Sequence, residues 1–293
     1  MEFIPAKNII SGYAEDGWFG ANYNMNIYKG CSHGCIYCDS RSECYQIEDF
    51  SRVRAKANTL ETIERNLRSK QKKGVMGTGG MSDPYNPMEK KYELTRGALE
   101  LFDRYRFGIS SLTKSNLVLR DIDLFLRIKK HSPVNMMMTI TAADDELCKI
   151  IEPKVSPSSE RFRAIGEFKK AGIHTGILMM PLLPFIEDTE ENVLGILHKA
   201  KACGADFVYP SFSMTLRGGQ REYFYRALDK HFPGISERYI KTFGGDYGCP
   251  SPDYDKLKPR FLAECKKLNM TYRYRDIVSE YKIGYIKEQL SWL

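Results

Sequence analysis

Apolar residues come in short runs of strand length that alternate with stretches of helical period almost to residue 215. The runs at residues 23–28, 74–78, 107–113, 134–141, 174–180 and 206–212 predict six strands, with intervening stretches that read as helices, and so a parallel order. A helix at 59–73 would carry Leu60, Ile63 and Leu67 on one face behind an Asn58 or Thr59 cap. Others are predicted from Thr95, at 117–130, at 158–170 before Gly172, and from Asp188 or Thr189 to near Cys203. With right-handed crossovers these units predict an α/β fold, a partial (β/α)6 TIM-like barrel whose functional groups gather at the strand C-terminal ends.

Beyond Phe212 the pattern turns helical, at 219–231, 235–243, 254–268 and 276–290, with a short strand expected at 271–274. Residues 1–214 therefore read as the barrel and 215–293 as a mainly helical C-terminal extension covering one end or edge of it.

Composition narrows the class. Of 293 residues, 42% are hydrophobic and 28% charged, which excludes a disordered or low-complexity chain. The most apolar stretches, 136–140 and 177–185, fall far below the roughly 18 residues a membrane span needs. Residues 1–10 lack a secretory leader pattern, so a cytoplasmic protein without a membrane partner is expected. Eight cysteines are too few for a disulfide scaffold in a chain of this length, and three of them crowd into Cys31, Cys35 and Cys38.

That C-x-x-x-C-x-x-C loop lies just after the first predicted strand. A structural zinc site wants four ligands, so Cys44 or His33 would have to complete it in a non-catalytic binding module. A [4Fe–4S] cluster held by three cysteines leaves one iron open for another ligand. The loop, with the aromatic Tyr37 before its third cysteine, resembles that of the radical S-adenosylmethionine enzymes. The resemblance implies a [4Fe–4S] cluster on Cys31, Cys35 and Cys38 whose open iron is chelated by S-adenosyl-L-methionine. It also implies reductive cleavage of that cofactor to a 5′-deoxyadenosyl radical that abstracts hydrogen. The text around the cysteines, with Ser82-Asp83-Pro84-Tyr85-Asn86-Pro87, Leu94-Thr95-Arg96, Leu112-Thr113-Lys114-Ser115 and Leu119-Arg120-Asp121, looks like the branch related to spore photoproduct lyase, whose members are often called DNA repair photolyases. Glu152-Pro153 and residues 176–184 extend it, so it spans roughly residues 20–215.

Glycines at a strand end offer free N–H groups and close approach. The resemblance makes Gly79, Gly80, Ser82 and Asp83 candidates for the methionine amino group, with Met81 where the family carries an acid. It assigns Lys114 to the cofactor carboxylate, and places Tyr37 and Met180 beside the adenine. Thr139 and Thr141 close the fourth strand with hydroxyls for the ribose or carboxylate. The chain departs from the lyase at two places. Gly80 stands where the lyase has its hydrogen-donating cysteine, and Asp39 where it has a tyrosine. Cys249 and Cys265 are the late thiols considered in its stead.

The partners implied are a small electron donor such as flavodoxin or ferredoxin and, less directly, nucleic acid. The net charge of +7 permits the latter, and two basic stretches could meet phosphates: one from Arg52 to Lys73, the other holding Arg217, Arg221, Tyr223, Phe224, Tyr225 and Arg226. Modification of a peptide, an RNA or a small metabolite stands as the alternative to DNA repair.

Overall fold

The computed structural model describes residues 1–13 and 17–285. At its centre is a seven-stranded sheet: β1 (Ile10–Gly12), β2 (Tyr23–Met25), β3 (Val75–Thr78), β4 (Gly108–Thr113), β5 (Val134–Thr139), β6 (His174–Met179) and β7 (Phe207–Pro210), lying side by side in the order β7-β6-β5-β4-β3-β2-β1. Strands β2 to β7 pair in parallel, and β1 joins the β2 edge antiparallel. Every residue of β5 is buried, as expected of a parallel strand covered on both faces. This is an α/β fold built on a mostly parallel sheet.

The first predicted strand proves to be two. Tyr23–Met25 belongs to the central sheet, whereas Tyr28–Lys29 joins a small sheet with Arg54–Lys56 and Glu2–Ile4. The switch occurs at Ile27, whose carbonyl accepts the Lys56 amide at 3.0 Å. The first helix stops at Arg68, short of residue 73. Its Thr59 hydroxyl donates back to the Lys56 carbonyl. Thr95 does not cap the next helix: Leu94–Tyr105 starts after a left-handed Glu93, and the Thr95 hydroxyl donates to the Pro84 carbonyl at 2.6 Å. Residues 116–121 form a 3-10 turn, capped by Ser115, before the helix Ile122–Lys129. Ser158–Lys170 is as expected, and Thr189 caps Glu190–Cys203 by accepting the Asn192 amide at 3.2 Å.

In the C-terminal region the helices are Gln220–His231, Ile235–Phe243, Tyr254–Leu268 and Tyr274–Lys282; the predicted residues 286–290 lie outside the described ones. Instead of a strand at 271–274 there is a single parallel bridge from Thr271 to Phe207 of β7. This region packs closely on what precedes it. Phe224, Leu228, Tyr239 and Phe243 share one buried cluster with Cys35, Ile36 and Tyr37. The helix Tyr274–Lys282 grips the turn Trp18–Gly20: the Tyr281 hydroxyl donates to the Phe19 carbonyl at 2.7 Å, and the Tyr274 hydroxyl to that of Gly17 at 3.0 Å. Phe19 in turn stacks on Phe207, so the regions around β2 and β7, at opposite ends of the parallel run, are joined by side chains. No helix among the described residues is long and apolar enough to cross a membrane.

Candidate active site

A cavity of about 390 Å³ opens where the C-terminal ends of the strands meet the cysteine loop. Cys31, Cys35, Cys38 and Tyr37 line it from one side, and Gly79, Gly80, Ser82 and Asp83 from the β3 end. Lys114, Thr139 and Met180 reach it from the ends of β4, β5 and β6. Thr141 does not line it. Two residues past β5, that residue is fully buried, and its carbonyl accepts the Asn192 side-chain amide at 2.7 Å.

Local backbone demands explain why the loops hold these shapes. Gly30 has φ +82°, and a Cβ there would sit 2.7 Å from the Phe50 and Arg52 carbonyl oxygens. The cysteine loop is further pinned by the Cys31 amide on the Phe50 carbonyl and the Ile36 amide on the Ile151 carbonyl. Gly79, with φ +91°, has the Leu112 carbonyl 2.1 Å from where its Cβ would be. Gly80, by contrast, faces open space.

Ser82 and Asp83 fasten the loops together. The Ser82 hydroxyl donates to the Gly30 carbonyl at 2.6 Å. The Asp83 carboxylate accepts the Tyr85 amide at 2.8 Å, the Thr113 hydroxyl at 2.6 Å and the Lys114 amide at 2.8 Å, and lies 3.4 Å from His33 Nδ1. Burial lowers the His33 pKa against the pull of that carboxylate.

Beneath Tyr37 lies a buried charge pair that the sequence did not single out as functional. The Tyr37 hydroxyl donates to Glu152 Oε1, and Arg161 Nη2 donates to Glu152 Oε2 at 2.5 Å and to Cys148 Sγ at 3.0 Å. Arg161 also donates to the Thr139 and Ser156 carbonyls, each at 2.7 Å, so each of its three nitrogens is engaged. Burial works against the Glu152 charge, but Arg161 and Lys114 outweigh it and hold its pKa below the ordinary carboxylate value. Lys114 likewise stays cationic: burial opposes its charge, while Cys35 and Glu152 favour it and raise its pKa. Its ammonium lies 5.7 Å from the Tyr37 ring centre.

The motifs around the glycine loop form a second such network. Glu89 and Asp121 are fully buried. Arg120 donates to Glu89 Oε2 at 3.1 Å and to Asp121 Oδ2 at 2.9 Å, and Arg96 bonds Asp121 Oδ1 at 2.9 Å. The Tyr28 hydroxyl donates to Glu89 from the segment leading into the cysteines. These residues brace the site without lining it.

Burial raises the pKa of all three loop thiols, that of Cys31 to about 11 with help from Asp83. Thiolates there call for positive charge close by, which iron supplies. Among the described residues no three His, Cys, Asp or Glu side chains converge on a single-ion site. A zinc site would need His33, which lines the cavity with its Nδ1 against Asp83, as fourth ligand, whereas three thiols suffice for a cluster that leaves one iron open. Cys44 is exposed and bonded by Arg217 Nη1 at 3.1 Å, away from the cavity. Cys249 and Cys265 are buried, with thiol pKa values pushed up by burial to about 11 and about 12, and neither lines the cavity. Nor does any residue of the two basic stretches. Arg221 instead donates to the Leu216, Gly244 and Asp246 carbonyls, and Phe224 is core. Sequence reading missed Trp18 and the 211–215 segment, which complete the cavity from the far side. It also missed Arg161, although an arginine sharing a helix face with Ile165 and Phe168 was a readable signal.

The comparisons with known proteins agree with this geometry. The family model described as the Radical SAM superfamily matches residues 25–197. An uncharacterised protein of Mycobacterium tuberculosis is 29% identical over 275 residues, covering 91% of this chain and 80% of the relative. An uncharacterised protein of Methanocaldococcus jannaschii is 37% identical over 172 residues, covering 58% and 64%. Among solved structures, spore photoproduct lyase in complex with a dinucleoside spore photoproduct superposes with a TM-score of 0.62 at 16% identity, over 87% of this chain and 76% of the other. A radical S-adenosylmethionine methyltransferase of Kitasatospora setae superposes at 0.54 with 13% identity, over 84% and 51%. At these identities the structural likeness establishes a shared fold.

Proposed function

The chain belongs to the radical SAM superfamily, and from that premise we propose that it is an enzyme that binds a [4Fe–4S] cluster and S-adenosylmethionine in the cavity described above, within a partial (β/α)6 barrel. The observation that carries this reading is the meeting of Cys31, Cys35 and Cys38 with the Gly79 loop and Lys114 around one cavity. When bound, the cluster supplies one electron for reductive cleavage of S-adenosylmethionine to a 5′-deoxyadenosyl radical, which abstracts hydrogen from substrate. The protein's part is to bind, orient and exclude water. Lys114 offers its ammonium to the cofactor carboxylate. Gly79, with no Cβ, lets the loop close on the Leu112 carbonyl, Gly80, facing open space, leaves room for the cofactor's methionine end, and Tyr37 and Met180 present apolar surface to the adenine. Asp83, whose oxygens already take three hydrogen bonds, sets the spacing between the glycine loop and β4.

A small iron–sulfur or flavin protein, such as ferredoxin or flavodoxin, is proposed as electron donor, and residues 215–293 as an extension that seals the cysteine loop. The substrate stays unassigned between a DNA lesion and a peptide, RNA or small metabolite. Reversal of a thymine dimer by the lyase's own relay lacks support, because the cysteines lining the cavity are the three of the loop and Gly80 carries no thiol.

The test is anaerobic reconstitution. A [4Fe–4S] absorbance and electron paramagnetic resonance signal that shifts on adding S-adenosylmethionine is expected, with 5′-deoxyadenosine formed under dithionite. Cys35→Ala abolishes both. Stoichiometric zinc without iron uptake would sink the proposal. Irradiated thymine dinucleotide, assayed in parallel, decides the repair version.

A further inference from the structure

Two segments outside the matched family region complete the cavity: the turn bearing Trp18, and residues 211–215 after β7. We propose that they form the substrate wall, and that this wall takes a flat, uncharged heteroaromatic ring bearing an N–H, an inference that rests on the radical reading of the site.

Trp18 lines the cavity and yet keeps 44% of its surface exposed. Its ring is held by edge contacts with Phe19 and Tyr209, centroids 4.9 and 5.8 Å away, and by Tyr274 at 6.0 Å. A large aromatic surface fixed in advance and left partly uncovered within a cavity favours a flat ligand, since little side-chain freedom is lost on contact.

The hydroxyls nearby define the edge of that ligand. Ser211 donates to the Ser213 carbonyl at 3.2 Å, Ser213 to the Met214 carbonyl at 3.3 Å, and Thr215 to Asp39 Oδ1 at 3.2 Å. With those bonds made, the hydroxyl oxygens keep lone pairs for a donor, and the Asp39 carboxylate, which also takes the Tyr45 hydroxyl at 2.8 Å and lies 3.7 Å from Arg217, only accepts. The wall therefore seeks donors. Among the described residues no arginine lines the cavity, and its one lysine is Lys114. With Lys114 committed to the cofactor, a phosphate or carboxylate on the reacting group would meet the Asp39 carboxylate instead of a cation.

Tryptophan fluorescence tests this in the reconstituted 293-residue chain carrying Trp292→Phe, which leaves Trp18 as its sole indole. Uridine should quench the emission saturably. Binding should weaken by about fivefold for 3-methyluridine, which lacks the ring N–H, and similarly for uridine after Ser211→Ala with Ser213→Ala, about the loss of one hydrogen bond. Tighter binding of single-stranded octathymidylate than of uridine would assign the ring to a strand, and equal or weaker binding to a free nucleoside. A response that fails to saturate, or equal binding of the two uridines, overturns the proposal. Formation of 5′-deoxyadenosine, measured on the same preparation, tests the radical reading separately.

Discussion

The two walls of the cavity are held by different forces. On the cysteine side, Tyr37 and the glycine loop stand on buried carboxylates held in charge networks, Glu152 by Arg161 and Glu89 and Asp121 by Arg120. On the far side, Trp18 rests on ring contacts and on a turn gripped by the helix Tyr274–Lys282, and residues 211–215 on backbone pairing, Ser213–Thr215 running antiparallel to Gly248–Pro250 while their side chains make single weak hydrogen bonds. A buried charge network is unforgiving, because taking away one member strands the others in a medium that cannot solvate them. Ring contacts and lone hydroxyls can be exchanged piecemeal. The first construction suits chemistry that must not vary, and the second suits a surface that selects what enters.

That contrast is sharpened most by Arg161→Met, which leaves Glu152 buried without its partner. A loss of about 3–5 kcal/mol in denaturant unfolding is expected, with much of it recovered when Glu152→Gln is added. A loss below about 1 kcal/mol for the single variant would break the distinction. Next comes a pair of glycines. Gly79→Ala forces a Cβ into the Leu112 carbonyl at a positive φ and should cost more than about 2 kcal/mol, whereas Gly80→Ala should stay within about 0.5 kcal/mol.

Glu187 supplies a pH signature behind the same wall. Burial raises its pKa to about 8 from an ordinary 4.5, so the folded protein binds its proton more tightly than the unfolded chain. Its contribution is therefore complete below about pH 4.5 and is lost as pH climbs through about 8. Melting temperatures followed from pH 5 to 9 should fall less steeply for Glu187→Gln than for the parent. The smallest effect belongs to the far wall. Tyr281→Phe removes one hydrogen bond to the Phe19 carbonyl, which is expected to lower stability by about 1 kcal/mol and leave iron uptake unchanged.

The sequence made the sheet legible because each strand is a local property. Buried runs such as Val134–Thr139 announce themselves without knowledge of their neighbours. It likewise showed the cysteine loop, since three ligands within eight residues need no tertiary structure to be recognised. Caps were less readable. Thr95 is a good cap in isolation, but its hydroxyl goes to Pro84, a choice made by packing. Trp18 and Thr215 lay beyond local reasoning, because their meeting depends on a helix more than 250 residues from the first of them gripping the Trp18 turn. Thr141 lies outside the cavity for a related reason: the sequence carries no sign that the strand stops at Thr139 and that the chain turns before Thr141.

The stack of Phe19 on Phe207 ties the turn before β2 to β7, which predicts that the parallel sheet behaves as a hoop instead of a ribbon. A ribbon frays from either edge independently. In a hoop, parting one seam loosens both margins at once, so the amides of β2 and β7, far apart along the chain and unpaired with each other, would exchange with solvent through a common opening event.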